Sequence, residues 1–281
     1  MKKIASLLFT FLLFQFSYTQ LQSPIASPRA KISQNVGLVK IDLDYSRPSK
    51  KGRVIFGNVV PFNQIWRTGA NQATTITFSG DVKINDQFVK GGQYHIYSVP
   101  RENNLDLVIY QKNDNWGSLQ SFDENLIKAR VNSEFYELPI EVETFSIDFD
   151  NISNNGATLN IMWGNKLAIY KIDVLTKQKM INNINEVMSK NPSKNDYRKA
   201  AVYFYEENIQ LEKAVKWIDI AFDDKDDLKY WQLRYKAVIY EKAGKIKKAK
   251  KYAKIGYEAA IKSKSPDAIN TLKIVYDRLN S

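Results

Sequence analysis

The sequence predicts an α+β protein: an antiparallel β-sandwich or jelly-roll-like domain followed by an all-α domain of helical hairpins. Three observations carry that expectation. Apolar residues recur at every second position within segments of residues 31–163, as half-buried strands require, and after Asp173 they take the three-to-four spacing of helices. Turn-forming clusters punctuate the first part at Asn85-Asp86, Gly91-Gly92, Asn103-Asn104 and Asn154-Asn155-Gly156. The charge divides at the same place, with sixteen basic and sixteen acidic side chains in residues 20–175 against twenty-three and fourteen in residues 176–281.

In chain order, Lys2 and Lys3 precede an apolar run from Ile4 to Phe16, and Ser17 and Thr19 follow with the spacing of a cleavage site. Residues 1–19 therefore read as a secretory signal peptide. The run is shorter than the roughly twenty apolar residues that span a bilayer, so the expectation is an exported chain, periplasmic or secreted, with no integral membrane span once the leader is removed. Residues 20–30 form an N-terminal extension, and the β domain occupies residues 31–175. Its strands are marked by Val39, Ile41, Leu43 and Tyr45, by Ile76 and Phe78, by Tyr94, Ile96 and Ser98, and by Leu105, Leu107 and Ile109. Phe145, Ile147 and Phe149, then Ala157, Leu159, Ile161 and Trp163, mark the last two. The chain has no cysteine, so an exported form relies on its cores and not on disulfides.

Residues 176–281 form the helical domain. Met180, Ile181, Ile184, Val187 and Met188 share one stripe of a helix over residues 176–190, which Asn191-Pro192 stops. Two later stretches match at an offset of thirty-five: Tyr205, Leu211, Ala214, Trp217 and Ala221 fall opposite Tyr240, Ile246, Ala249, Tyr252 and Gly256. That offset and those small and aromatic positions resemble degenerate tetratricopeptide repeats over about residues 192–261. Ser265-Pro266 is a cap with proline in the first turn, and it opens a last amphipathic helix carrying Ile269, Leu272, Val275 and Leu279. Six lysines between Lys245 and Lys254 surround the stripe of Ile246, Ala249 and Ala253, and they read as a solvated outer helix face.

Few groups are available for catalysis. His95 is the only histidine and no nucleophile elbow accompanies it. Between Tyr94 and Ile96 it points to the opposite face of its strand from both. The cluster Asp148, Asp150, Asn151 and Asn154 lacks the glycine and closing glutamate of a calcium loop, and it reads as a hairpin turn. Neither a metal site nor a cofactor is predicted. Asp42 with Asp44, and Glu141 with Glu143, are i,i+2 pairs of the kind that usually face solvent. The arginines are more informative. Arg47 in DYSRP, Arg53 in KKGRVIFG and Arg67 in WRTGAN sit among glycines, prolines and aromatics, where turns can present a planar guanidinium to an anion. Arg47, Arg53, Trp66, Arg67 and Asn71 are therefore the candidate ligand-binding residues. An internal arginine network that ties loops to the sandwich is the other reading of the same residues.

The stretch from Ser27 to Phe78 resembles the start of the domain-of-unknown-function 2911 family of exported proteins, found mainly in Bacteroidetes-type bacteria. The resemblance extends to about Asp173 and rests on Ser27-Pro28-Arg29, Asp44-Tyr45-Ser46-Arg47-Pro48, Gly52-Arg53, Val60-Pro61, Trp66-Arg67-Thr68-Gly69-Ala70-Asn71 and Trp163. It implies a compartment and domain limits but no activity. The family usually has glutamate where this chain has Gln72, so a role needing negative charge there is lost or taken over. The expectation is a cell-envelope binding or scaffolding protein, with a protein partner at the helical tail and an anionic or carbohydrate small ligand at the β domain. Export leaves no nucleic acid to bind. The alternative is an enzyme on such a substrate, with the arginines as clamps and a carboxylate such as Asp44 as base.

Overall fold

The computed structural model describes residues 23–111, 116–224 and 227–281, so the leader read over residues 1–19 lies outside the described residues. The chain divides into two compact units, residues 1–175 and 176–281. Among the described residues, the first holds ten antiparallel strands in two sheets: β1 (Arg29–Val36), β2 (Val39–Ser46), β3 (Thr74–Phe78), β4 (Val82–Ile84), β5 (Gln87–Val89), β6 (Gly92–Pro100), β7 (Asn104–Gln111), β8 (Ile127–Glu134), β9 (Tyr136–Asp150) and β10 (Gly156–Asp173). A six-stranded sheet runs β1-β2-β3-β6-β7-β8 and a four-stranded sheet runs β5-β4-β10-β9. The α+β class is as the sequence predicts. The strand β1 starts inside the stretch read as an extension, because Arg29 and Ala30 pair with Ser46 and Tyr45.

Alternation decides which side chains meet between the sheets. Ile41, Leu43, Ile76, Ile96, Leu107 and Ile109 from the six-stranded sheet face Phe145, Ile147, Leu159, Ile161 and Tyr170 from the other, and all are 0–2% exposed. The hairpin β4–β5 turns on Asn85 and Asp86, both at positive φ (41° and 67°) as a two-residue hairpin turn demands. On the outer face of the large sheet, Ala73, Tyr97, Val108 and Tyr110 are also buried, under Leu119, Phe122 and Leu126 from the segment that leads into β8. The remainder of that outer face, over β1, β2, β3 and the start of β6, carries polar side chains. One row across it reads Lys31, Asp44, Thr75, His95 and Tyr110.

The second unit contains α1 (Thr176–Met188), α2 (Lys194–Glu206), α3 (Leu211–Ala221), α4 (Tyr230–Lys242), α5 (Ile246–Ser263) and α6 (Pro266–Asn280). Ser193 caps α2 in a reciprocal box with Asp196, and Pro266 opens α6. The thirty-five-residue offset is structural, since α3 begins at Leu211 and α5 at Ile246, with Ala214 and Ala249 both fully buried. Gly256 permits close approach. A Cβ there would lie 3.1 Å from Leu272 Cδ2 and 3.2 Å from Leu233 Cβ. Among the described residues, no helix is long and apolar enough to cross a membrane.

Candidate functional site

The segment from Arg47 to Ala73 connects β2 to β3 without a strand of its own. Connections this long inside a compact domain are uncommon and are usually functional. Its course is pinned by isolated bridges from Ser49 to Thr144 and from Trp66 to Ser98. At Trp66 the backbone exchanges hydrogen bonds with Ser98 at 2.7 and 2.8 Å, and the indole Nε1–H donates to Gly69 O at 2.9 Å. The indole stacks on Trp163 at 6.0 Å and meets Phe145 edge-on at 5.0 Å. Trp66 is thus an anchor at the edge of the core, 7% exposed.

The turn that follows is strained. Thr68, Gly69 and Asn71 have φ of 51°, 147° and 59°. A β-branched residue at positive φ is an outlier that persists only where the surroundings over-determine it. They do so here: the buried Thr68 hydroxyl shares a hydrogen bond with Ser98 Oγ at 2.6 Å, and its carbonyl accepts from Thr74 Oγ1 at 2.5 Å. A Cβ at Gly69 would lie 2.9 Å from Ser46 O, so only glycine fits. The turn holds Arg67 in place, with Nη1 donating to Asn71 O at 2.7 Å.

Four of the five candidates come together. Arg53, Trp66, Arg67 and Asn71 border one cleft of about 930 Å³, joined by Lys51. Arg53 donates to Lys50 O at 2.9 Å and to Ser49 O at 2.6 Å, carbonyl contacts that orient the guanidinium without neutralising it. No aspartate or glutamate lines the cleft among the described residues, and neither Arg53 nor Arg67 has a carboxylate ion-pair partner among them. Arg47 lies outside this cleft. It donates to Phe145 O at 3.1 Å and to Ser146 Oγ at 2.7 Å, which ties the loop to β9. The network reading therefore describes Arg47, and the ligand reading describes Arg53 and Arg67.

A second cavity, of about 750 Å³, lies on the outer face of the six-stranded sheet. Asp42, Asp44, His95 and Gln72 line it together with Arg29, Lys31 and Lys40. Arg29 binds Asp44 Oδ1 and Gln72 Oε1, both at 2.8 Å, so the amide at position 72 serves as an acceptor without charge. Ser33, and then Lys40, hold the Asp42 carboxyl below the usual carboxylate range. Sequence reasoning passed over this cavity because most of its members are spread over four strands, β1, β2, β3 and β6, with Gln72 and Trp116 in the connections. Only their outward parity was readable.

A family model described as a protein of unknown function (DUF2911) matches residues 27–174, which is more than half of the chain. The chain belongs to this family. The DUF2911 region spans nearly the whole two-sheet unit and includes both cavities, and the helical unit lies beyond it. No curated protein and no solved structure matches the chain.

The enzyme alternative requires arginine clamps and a carboxylate base at one place. In the DUF2911 unit, Arg53 and Arg67 line the first cleft, whereas Asp44 lines the second cavity, ion-paired to Arg29.

Proposed function

We propose that the DUF2911 unit is a binding module whose cleft takes an anionic or acidic carbohydrate ligand. The observation that carries this reading is a cleft whose described lining has three cations, Lys51, Arg53 and Arg67, and no carboxylate, built against a tryptophan held by a strained turn. Planar guanidinium groups held by backbone carbonyls are pre-organised for carboxylate, sulfate or phosphate. Asn63, Gln64 and Asn71 on the same wall supply the hydrogen bonds that fix a hydroxylated ligand.

In this reading the protein is exported and works in the cell envelope, periplasmic or secreted. Its helical unit, with two tetratricopeptide-like hairpins, engages a protein partner. Stacked helix pairs offer surfaces suited to that use without catalytic groups. A bait of the full chain should then recover a partner from envelope extract that a bait lacking residues 176–281 does not.

The cleft is tested by thermal shift with the full chain and with Arg67→Ala, against uronates, sulfated sugars, phosphate esters and neutral sugars. A ligand at one hundred times its dissociation constant stabilises by about 2.7 kcal/mol, a shift of several degrees. The expected outcome is a saturable shift with acidic compounds that Arg67→Ala abolishes. Equal shifts in both proteins, or none with any acid, would refute the reading.

A further inference from the structure

We propose that the cationic cleft and the sheet cavity are neighbouring subsites for one elongated ligand, an acidic oligosaccharide. An acidic unit sits in the cleft and a neutral, hydroxylated unit lies on the sheet. This inference rests on the cleft reading above and extends it to the size and class of ligand.

The linings of the two spaces come within one or two residues of each other along the chain at two places. Asn71 lines the cleft and Gln72 the cavity, and consecutive Cα atoms are only about 3.8 Å apart. On the other side, Trp116 lines the cavity and Ser118 the cleft. Between them, a Cβ built on Gly117 would lie 3.6 Å from Arg67 Nη1. A ligand that leaves the Arg67 end of the cleft therefore meets the Gln72 and Trp116 end of the cavity directly.

The chemistry of the cavity differs from that of the cleft. Asp42 and Asp44 sit among Arg29, Lys31 and Lys40 on β1 and β2, with Thr75, Thr77 and Gln93 beside them on β3 and β6. A free anion meets two carboxylates there, and a free cation meets three basic groups. Hydroxyl groups both donate and accept, so a neutral polyol satisfies both kinds of wall at once. Trp116, 62% exposed at the margin, offers a flat apolar face for the C–H side of a sugar ring. Outer faces of antiparallel sheets are usually solvated and featureless. Here one side of the floor is the buried His95, next to the covered Tyr97 and Tyr110.

The test is calorimetric titration of the full chain with glucuronic acid, the monomer, and with a glucuronosyl-xylotriose, a tetramer in which one acidic unit is joined to three neutral ones. The tetramer should bind at least about tenfold tighter than the monomer, the equivalent of about 1.4 kcal/mol. Trp116→Ala and Thr77→Val should each remove most of that gain while leaving monomer affinity within about twofold, a difference of about 0.4 kcal/mol. Arg53→Ala should weaken both ligands. Circular dichroism and Tm confirm that each variant is folded. If the monomer binds and the tetramer binds no tighter, or if Trp116→Ala weakens both equally, the two-subsite inference is overturned and the cleft reading stands. If neither acid binds the unaltered chain, the cleft reading for uronates falls, and this inference falls with it.

Discussion

The helical unit contains a lysine where an apolar residue belongs, and its removal should cost less than removal of its partners. Lys236 on α4 is 1% exposed. Its ammonium lies 2.7 Å from Asp224 Oδ1, 2.9 Å from Asp219 Oδ1 and 2.8 Å from Phe222 O, and 4.8 Å from the Tyr252 ring centre. The carboxylates differ in burial from the lysine: the Asp219 and Asp224 side chains are 39% and 49% exposed, against 2% for Lys236. Lys236→Met keeps the apolar stem and leaves two carboxylates whose side chains are partly exposed. The expected cost is about 1 kcal/mol, that of a partly exposed pair. Asp219→Asn with Asp224→Asn leaves a sealed ammonium facing one carbonyl, two amides and a ring, and costs about 3–5 kcal/mol. Combining all three changes should recover most of the loss. Urea unfolding of the full chain, followed by far-ultraviolet circular dichroism, measures each cost. A Lys236→Met penalty equal to or larger than that of the double variant would refute the reasoning.

Other outcomes follow from the same geometry. Gly69→Ala should lower stability by about 2 kcal/mol or more, through its positive φ and the 2.9 Å approach to Ser46 O, read as a drop in Tm. Arg47→Ala should cost about 2–3 kcal/mol through two lost charge-assisted hydrogen bonds and leave acid binding unchanged, whereas Arg67→Ala should do the reverse. Burial raises the Asp224 carboxyl, but hydrogen bonds from Lys236 and Tyr252 and the nearby lysine charges outweigh it and leave it lowered. Its contribution is present above the unfolded value of about 3.9 and is lost as pH falls through the lowered folded value, so Asp224→Asn should flatten the acid limb of a stability–pH curve. Burial, then hydrogen bonds to Asp219 and Asp224, raise the Tyr240 and Tyr252 phenols. Their contribution holds below the ordinary tyrosine value of about 10 and is lost as pH rises above it, so in an alkaline titration those phenolates should appear in absorbance only as the helical unit unfolds.

Period-two alternation in the sequence located β2, β3, β6 and β7 because large apolar residues fill most of their inward positions. It passed over β8, whose inward residues Ala129, Val131 and Ser133 are small or polar, and the hairpin β4–β5, whose strands have three residues each. Four of the five candidate site residues share a cleft because they belong to one turn-rich connection, and a compact connection keeps sequence neighbours together. Arg47 departs because its guanidinium is satisfied by Phe145, ninety-eight positions along the chain. Nothing local in DYSRP announces that partner. Lys236 was equally silent, because its carboxylates lie on α3 and just beyond it.

Local periodicity and turn chemistry were enough to determine the class of the protein, since both depend on residues within a few positions of each other. The motifs between Ser27 and Trp163 were enough for the family. Tertiary structure decided which charges are neutralised and which face a cavity. Arg29 found Asp44 and Gln72, Arg47 found β9, and Arg53 and Arg67 were left with carbonyls alone. The energy of a charge depends on what approaches it from distant strands, and that is a property of the folded chain.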